Sequence, residues 1–489
     1  MAGRRALVSA VRLLTRVFFR RIEVTGIENV PASGGGIVIA WHPNGMVDPA
    51  LILASFPRPL VFGARHGLFK WPLLGTVLRA LGTVPIYRAS DAARLDPEAR
   101  RAANRASLDA LAAEVARGSF CSLFPEGVSH DAPHPVELKT GIARLFDAAR
   151  LKAGPDAPSP LILPVGLHYD EKRAFRSSAL VAFHPPVELP AELAAAPPDD
   201  EPLERAAERW RALVELLERV LRDVVHATDD WETHYLMHRA RKLVRAERAH
   251  RAGADPGPVG IAERTLGFQR VWQGYYERME THPGEVAALR ARVEQYDADL
   301  RALRLEDHQL DRDPRFASPL LGVLLALQAV AVYLLLPPFL VVGYLVNGLP
   351  ALAVLGLARV LSKERKDFAT AQILIGLVFF PIVWGAVGVV GAQAHVAVHE
   401  TFPAVPDTPA LVGLLLVLLS ILGGATAVRY LRLARETARG LRVRLTRRIR
   451  RRQIARLRAE RAVLCAAIES IAAGLALPGA VQSDGRVVI

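Results

Sequence analysis

The sequence predicts an α/β domain with a largely parallel central sheet, then a helical connector, then a C-terminal bundle of transmembrane helices. Two patterns predict it. Residues 22 to about 190 alternate short apolar runs with helix-length stretches, as parallel strands joined by crossover helices do. From residue 319 on, uncharged apolar runs occupy 319–346, 371–391 and 409–428. Each is long enough, at about twenty residues or more, for a helix to cross a hydrocarbon core of roughly 30 Å.

Taken in order, residues 4–21 form a short basic amphipathic helix, with Leu7, Val11, Leu14 and Phe18 on one face and Arg5, Arg12 and Arg16 opposite. Residues 1–21 are therefore assigned to a helix lying on a membrane surface, and the arginines inside the stretch exclude a signal peptide. The domain spans 22–230, with strands expected at 36–40 (GIVIA), 60–63, 82–87 (GTVPIY), 120–124 (FCSLF), 161–165 and 180–183. Helices are expected at 49–55, 72–81, 97–117 and 141–151. A further helix at 202–225 keeps Leu203, Ala207, Trp210, Leu213, Leu217, Val220 and Val224 on one apolar face. Residues 231–315 are charged and helical in pattern, and read as a connector without chemistry of its own.

Residues 316–428 form the membrane region. The 359–367 loop is basic, the 395–408 loop has no Lys or Arg, and the tail 429–489 begins with fourteen arginines by residue 461 against only Glu436 and Glu460. By the positive-inside rule the first loop and the tail are cytoplasmic. A cytoplasmic domain then requires residues 319–357 to enter and return, with Pro337-Pro338 making the turn of a hairpin. Four short spans are favoured over three, and a re-entrant hairpin gives the same sidedness. The tail reads as a helix drawn to anionic lipid, at about 1 kcal/mol per charge near the surface. Nucleic-acid binding is the rival, disfavoured because the stretch has few aromatics to stack bases.

Composition narrows the classes. With 51% hydrophobic residues the chain is no disordered protein, and its two cysteines, Cys121 and Cys465, exclude a disulfide scaffold. Lys and Arg outnumber Asp and Glu by 62 to 49, which suits a phosphorylated substrate or an anionic membrane.

The chemistry gathers where strands end, since ligands of parallel sheets bind at the carboxyl edge. The first strand runs into Trp41-His42, the third into Arg88, and FCSLF into Pro125-Glu126-Gly127. In WHPNGMVDP, His42 and Asp48 are six residues apart, so they meet only if His42 lies in the strand-to-helix turn. Asp48 then caps a helix that has Pro49 at its first position, either as a simple cap or as a carboxylate orienting a histidine base. Arg88 is a solvated arginine or a bidentate phosphate ligand. Glu126 and Gly127 form an exposed turn or grip acceptor hydroxyls. Lys139 precedes a helix start at Gly141, where anions are favoured, although a solvated lysine is the simpler reading. Cys121 reads as an inert strand residue. No CxxC, HExxH or Walker loop occurs, so no metal and no cofactor are expected.

Four ordered blocks, 41–49 (WHPNGMVDP), 82–88 (GTVPIYR), 124–131 (FPEGVSHD) and 163–167 (LPVGL), resemble those of the glycerolipid acyltransferase family. The LKTG stretch at 138–141 and FRSSALVAF at 175–183 resemble the branch of yeast-type glycerol-3-phosphate/dihydroxyacetone-phosphate acyltransferases and their bacterial relatives. The resemblance implies transfer of an acyl group from acyl-CoA or acyl-carrier protein to a hydroxyl of glycerol 3-phosphate or dihydroxyacetone phosphate, in phospholipid biosynthesis. It implies His42 as general base, Asp48 as its orienting partner, and Arg88, Glu126 and Gly127 at the acceptor phosphate; Lys139 joins them as a candidate through its place before the helix start at Gly141. Most of the wider family has four residues between the histidine and aspartate; this chain has five, and Trp41 stands where Asn is usual. A lysophosphatidate or other lysophospholipid acceptor is the alternative. A non-catalytic lipid-binding scaffold is the alternative of another class, which would have no use for a base.

Overall fold

The computed structural model describes residues 2–87, 96–154, 157–198, 201–254, 257, 259–311, 319–362 and 364–488. The chain divides into two compact units: residues 1–234 with 260–265 and 364–370, and residues 235–259 with 266–363 and 371–489.

The first unit is built on seven strands: β1 (Arg21–Thr25), β2 (Gly36–Ala40), β3 (Leu60–Arg65), β4 (Val84–Ile86), β5 (Phe120–Leu123), β6 (Leu161–Tyr169) and β7 (Ser178–Phe183). Their order is β1-β7-β6-β2-β5-β3-β4, and all neighbours run parallel except β6 and β7. A central parallel strand is covered on both faces and so reads as a continuous apolar run. Ile37, Val38, Ile39 and Ala40 of β2 are accordingly inaccessible to solvent. One face of the sheet packs, through Ile37, Ile39, Cys121 and Ile162, against Leu111, Phe146, Leu213, Leu217 and Leu221 of the helices Pro97–Ala116, Gly141–Ala153 and Leu203–Val225.

Three local features differ from expectation. β1 was not expected, because RIEVT is a half-exposed edge strand without the apolar run that marks the others. β6 runs four residues past 165, since its antiparallel pairing with β7 continues to Tyr169↔Ala179. The amphipathic helix (Ala2–Phe18) turns inward: Phe18 is buried, and Arg12 donates to the Ala54 carbonyl of the helix Val47–Ser55. Leu13 and Val17 are the apolar residues it leaves exposed.

The second unit is helical. Three helical stretches are long and apolar enough to cross a membrane, Gly343–Leu361, Phe368–Thr401 and Pro409–Ile449. The hairpin turn expected at Pro337-Pro338 is replaced by continuous helix. The π-helical stretch Ala331–Leu335 leads directly into Leu336–Leu361, and where the ladder lacks the proline N–H groups the Val332 carbonyl accepts the Tyr430 hydroxyl at 2.8 Å. Gly343 and Gly423 let two of these helices approach closely, and Asn347 ties them by donating to the Ser420 carbonyl at 3.0 Å. The basic tail is also not a bare surface helix. Its second half folds back as Arg451–Ile471, burying Ile454, Leu457 and Leu464 against Leu243, Val293, Tyr296 and Leu300. Arg461 there is fully buried and paired with Glu247 at 2.9 Å and Asp311 at 2.7 Å.

Candidate active site

Two turns at the carboxyl edge of the sheet carry the polar groups. The first joins β2 to the helix Val47–Ser55. Gly45 takes φ +49° in it, a left-handed backbone that side chains disfavour. The helix begins two residues before the expected start, so Asp48 is not its cap but lies in its first turn, and Pro49 occupies a position whose missing N–H costs no intrahelical bond. From there the Asp48 side chain reaches back. Its Oδ2 accepts the Asn44 N–H at 2.7 Å and lies 2.8 Å from His42 Nδ1.

An ionised carboxylate only accepts, so in the neutral ring His42 Nδ1 carries the proton and Nε2 is the nitrogen with the lone pair. No described residue hydrogen-bonds Nε2. The ring stacks on Phe124, centroids 4.0 Å apart and planes 13° from parallel. Asp48 is fully buried, whereas the imidazole is 13% exposed. Tyr169 donates its hydroxyl to Asp48 Oδ1, completing the carboxylate's shell. Burial, and then the Asp48 charge, push the Tyr169 phenol well above its ordinary range, which keeps it a donor.

The second turn follows β5. Glu126 is 1% exposed, and three protein donors take its carboxylate. The His42 N–H donates to Oε2 at 2.8 Å, the Val136 N–H to Oε1 at 3.0 Å, and His130 Nε2 to Oε1 at 2.6 Å. His130 is filled on its other side as well, since Nδ1 accepts the Ala132 N–H at 3.2 Å. The His130 N–H in turn donates to the His42 carbonyl at 3.0 Å, so the two turns are bonded to each other directly.

Of the residues singled out in the sequence, His42, Asp48, Glu126 and Gly127 therefore lie on these two bonded turns. Glu126 is not the exposed turn residue that the sequence also allowed: it is 1% exposed and its carboxylate takes three protein donors. Gly127 sits at φ +69°, and a Cβ there would approach nothing nearer than Lys139 Cγ at 3.8 Å, so backbone conformation is what calls for glycine. Lys139 donates its N–H to the Pro125 carbonyl at 2.8 Å, while its ammonium is 59% exposed and 2.9 Å from Glu137. Arg88 lies outside the described residues. Burial, aided by Glu114, pushes the Cys121 thiol up to about 12, which makes it inert. Among the described residues no cluster of three or more His, Cys, Asp or Glu is arranged to hold a metal ion.

Sequence reasoning missed Tyr169, His130 and Phe124 as parts of the site. The signal for Tyr169 was the unbroken GLHY continuation of β6, and for His130 its spacing four residues after Glu126.

Residues 21–168 match the family described as Acyltransferase, and residues 263–476 match the glycerol-3-phosphate acyltransferase 2 C-terminal domain. An uncharacterized acyltransferase of Schizosaccharomyces pombe is 24% identical over 465 residues, covering 76% of this chain and 66% of that protein. Glycerol-3-phosphate O-acyltransferase 1 of Saccharomyces cerevisiae is 28% identical over 280 residues, 55% of this chain and 35% of its own length. A 1-acyl-sn-glycerol-3-phosphate acyltransferase of Borreliella burgdorferi is 29% identical over 149 residues, 30% of this chain and 51% of its own. The chain thus spans between a third and two-thirds of these relatives. Its two matched regions are thus an acyltransferase domain and, after it, a domain of the glycerol-3-phosphate acyltransferase 2 C-terminal type.

Proposed function

We propose that this protein transfers a fatty acyl group from an acyl thioester, acyl-CoA or acyl-carrier protein, to a hydroxyl of glycerol 3-phosphate or dihydroxyacetone phosphate. The observation that carries the reading is one imidazole with Nδ1 fixed on a buried aspartate and with no described residue hydrogen-bonded to Nε2. In the proposed step Nε2 takes the proton of the acceptor hydroxyl as its oxygen attacks the thioester carbonyl. The new C–O bond forms, the C–S bond breaks as the tetrahedral adduct collapses, and the leaving sulfur receives the proton from the imidazolium. Asp48 stabilises that imidazolium and holds the tautomer. Arg88, Gly127 and Lys139 are assigned to the acceptor phosphate. The exposed Lys139–Glu137 pair is the kind worth about 1 kcal/mol or less, so an arriving phosphate displaces Glu137 readily. Glu126 is reassigned as a positioning group that fixes the His42 backbone.

The names of the yeast relatives support glycerol 3-phosphate as acceptor, and the bacterial relative's name supports a 1-acylglycerol 3-phosphate. Membranes containing the full chain, given labelled acyl-CoA with both acceptors in competition, separate these readings. Product from glycerol 3-phosphate at limiting donor supports the first; product from lysophosphatidate alone replaces it with the second. No transfer to either, with the chain inserted, leaves the lipid-binding scaffold.

The reading places the enzyme in a membrane with its acyltransferase domain (22–230), connector (231–315) and tail (429–489) on the cytoplasmic side. The basic 359–367 loop shares that side, because residues 364–370 fold with the acyltransferase unit. An unbroken helix cannot leave and return, so a helical run beginning at Pro319 and ending at Leu361 on one face makes no net crossing. The helices Phe368–Thr401 and Pro409–Ile449 then cross out and back. Cysteine labelling from outside is expected at residues 403–408 and not at 348, and labelling at 348 contradicts the two-crossing arrangement.

A further inference from the structure

The turn bearing His42 is not held by the acyltransferase domain's own sequence alone. Residues 364–370, the end of the link from the apolar helix Leu336–Leu361 and the first three residues of the helix Phe368–Thr401, fold as part of the first unit. Thr370 Oγ1 accepts the Met46 N–H at 3.1 Å, across 324 residues of sequence. Met46 caps the helix that carries Asp48, so its N–H has no intrahelical partner, and the threonine hydroxyl satisfies it. Lys366 Nζ donates to the Ser129 carbonyl at 2.5 Å and pairs with Glu364 at 2.9 Å. Ser129 lies next to His130, in the turn that carries Glu126.

Gly45 records the same approach independently. A Cβ at this position would stand 3.0 Å from Thr370 Oγ1 and 3.4 Å from the Lys366 carbonyl. The 364–370 segment therefore lies directly on the backbone of the His42 turn while its lysine grips the other turn.

We propose that residues 364–370 are a working part of the active site, in which Thr370 and Lys366 are positioning residues that fix the His42–Asp48 turn and the 126–130 turn. The proposal rests on His42 being the base of acyl transfer. The domain then reaches its active geometry only when the loop between the two apolar helices is in place, which couples catalysis to the membrane segment that receives the lipid product. Small errors in placing a catalytic group are costly, up to about a hundredfold for roughly 1 Å.

The test uses the full chain in native membranes. Thr370→Val is expected to lower kcat about tenfold with KM for thioester and acceptor unchanged, and Thr370→Ser to restore most of it. Lys366→Met is expected to lower kcat about fivefold in the same pattern. An unchanged kcat in both variants overturns the positioning role, and so does a fall that Thr370→Ser shares, since that marks folding damage.

A second readout needs no activity. In Ser129→Cys/Lys366→Cys, a short thiol-specific cross-linker is expected to join the two positions within one chain, in wild-type and His42→Ala backgrounds alike. The native Cys121 and Cys465 are buried and add little background. Absence of the cross-link overturns the docking of the loop. A wild-type chain inactive on every acceptor overturns the acyl-transfer reading and the catalytic half of this proposal with it, while the cross-link still decides whether the loop sits on the site.

Discussion

Two histidine–carboxylate pairs stand side by side on bonded turns, and only one of them is free to do chemistry. His42 meets Asp48 through Nδ1 at 2.8 Å, and no described residue bonds its Nε2; His130 meets Glu126 through Nε2 at 2.6 Å and fills Nδ1 with the Ala132 N–H. Burial is alike, with imidazoles 13% and 12% exposed on carboxylates that are fully buried. What separates a base from a brace is whether the second ring nitrogen is taken. Glu126 follows the same logic: its oxygens hold the His42 N–H and the Val136 N–H, so its service is to geometry.

The largest effect among the groups behind the imidazole falls on Asp48. Asp48→Asn is expected to lower kcat by about a hundredfold or more, because an amide cannot accept the His42 Nδ1 proton and the Asn44 N–H as a carboxylate does. Steady-state transfer rates in membranes check it, and a loss under about fivefold breaks the pairing on which the comparison rests. Glu126→Gln is expected to cost about tenfold to thirtyfold in kcat, with acceptor KM little changed. A raised KM with kcat intact instead returns Glu126 to acceptor binding. Tyr169→Phe removes one donor from Asp48 and is expected to cost about fivefold to tenfold, read as kcat in the same assay.

The smallest effect concerns stability. Burial, then the neighbouring His184 and His234, pushes His168 down to about 3, and burial alone pushes His234 down to about 4. Both are lowered from the ordinary 6.5, so above pH 6.5 neither state binds the proton and the stability is intact. Below it the unfolded chain gains protons that the folded one refuses. Each histidine then costs about 1.4 kcal/mol per pH unit until its folded value is reached. The Tm of the detergent-solubilised chain is expected to fall between pH 7 and pH 5, and less so in His234→Gln. A Tm that holds level over that range contradicts the buried neutral histidines.

Legibility in the sequence followed the distance over which a structural cause acts. His42 and Asp48 lie in one turn, and β2 before them is a five-residue apolar run, so local pattern sufficed. The parallel sheet was readable for the same reason. Asp48's place in the helix was misjudged by two residues, because Pro49 suits either the first position or the first turn. Tyr169 and β1 depend on pairing with β7, a partner that sets where a strand ends and that no local window contains. Thr370 and Lys366 reach their turns across 324 and 237 residues. The tail shows the same limit: within its arginine run, Arg461 is fully buried and paired with Glu247 and Asp311 from elsewhere in the chain. The hairpin at Pro337-Pro338 failed because a π-helical stretch carries the helix into the prolines and a distant hydroxyl, that of Tyr430, takes up the Val332 carbonyl there.

The comparison between the two histidines is tested most directly by replacing each in turn and measuring acyl transfer from labelled thioester under single-turnover conditions. His42→Ala is expected to lose at least about a hundredfold while the chain still folds and inserts, and His130→Ala to retain transfer within about tenfold of wild type. Near-normal transfer by His42→Ala, or a deeper loss from His130→Ala than from His42→Ala, contradicts the account.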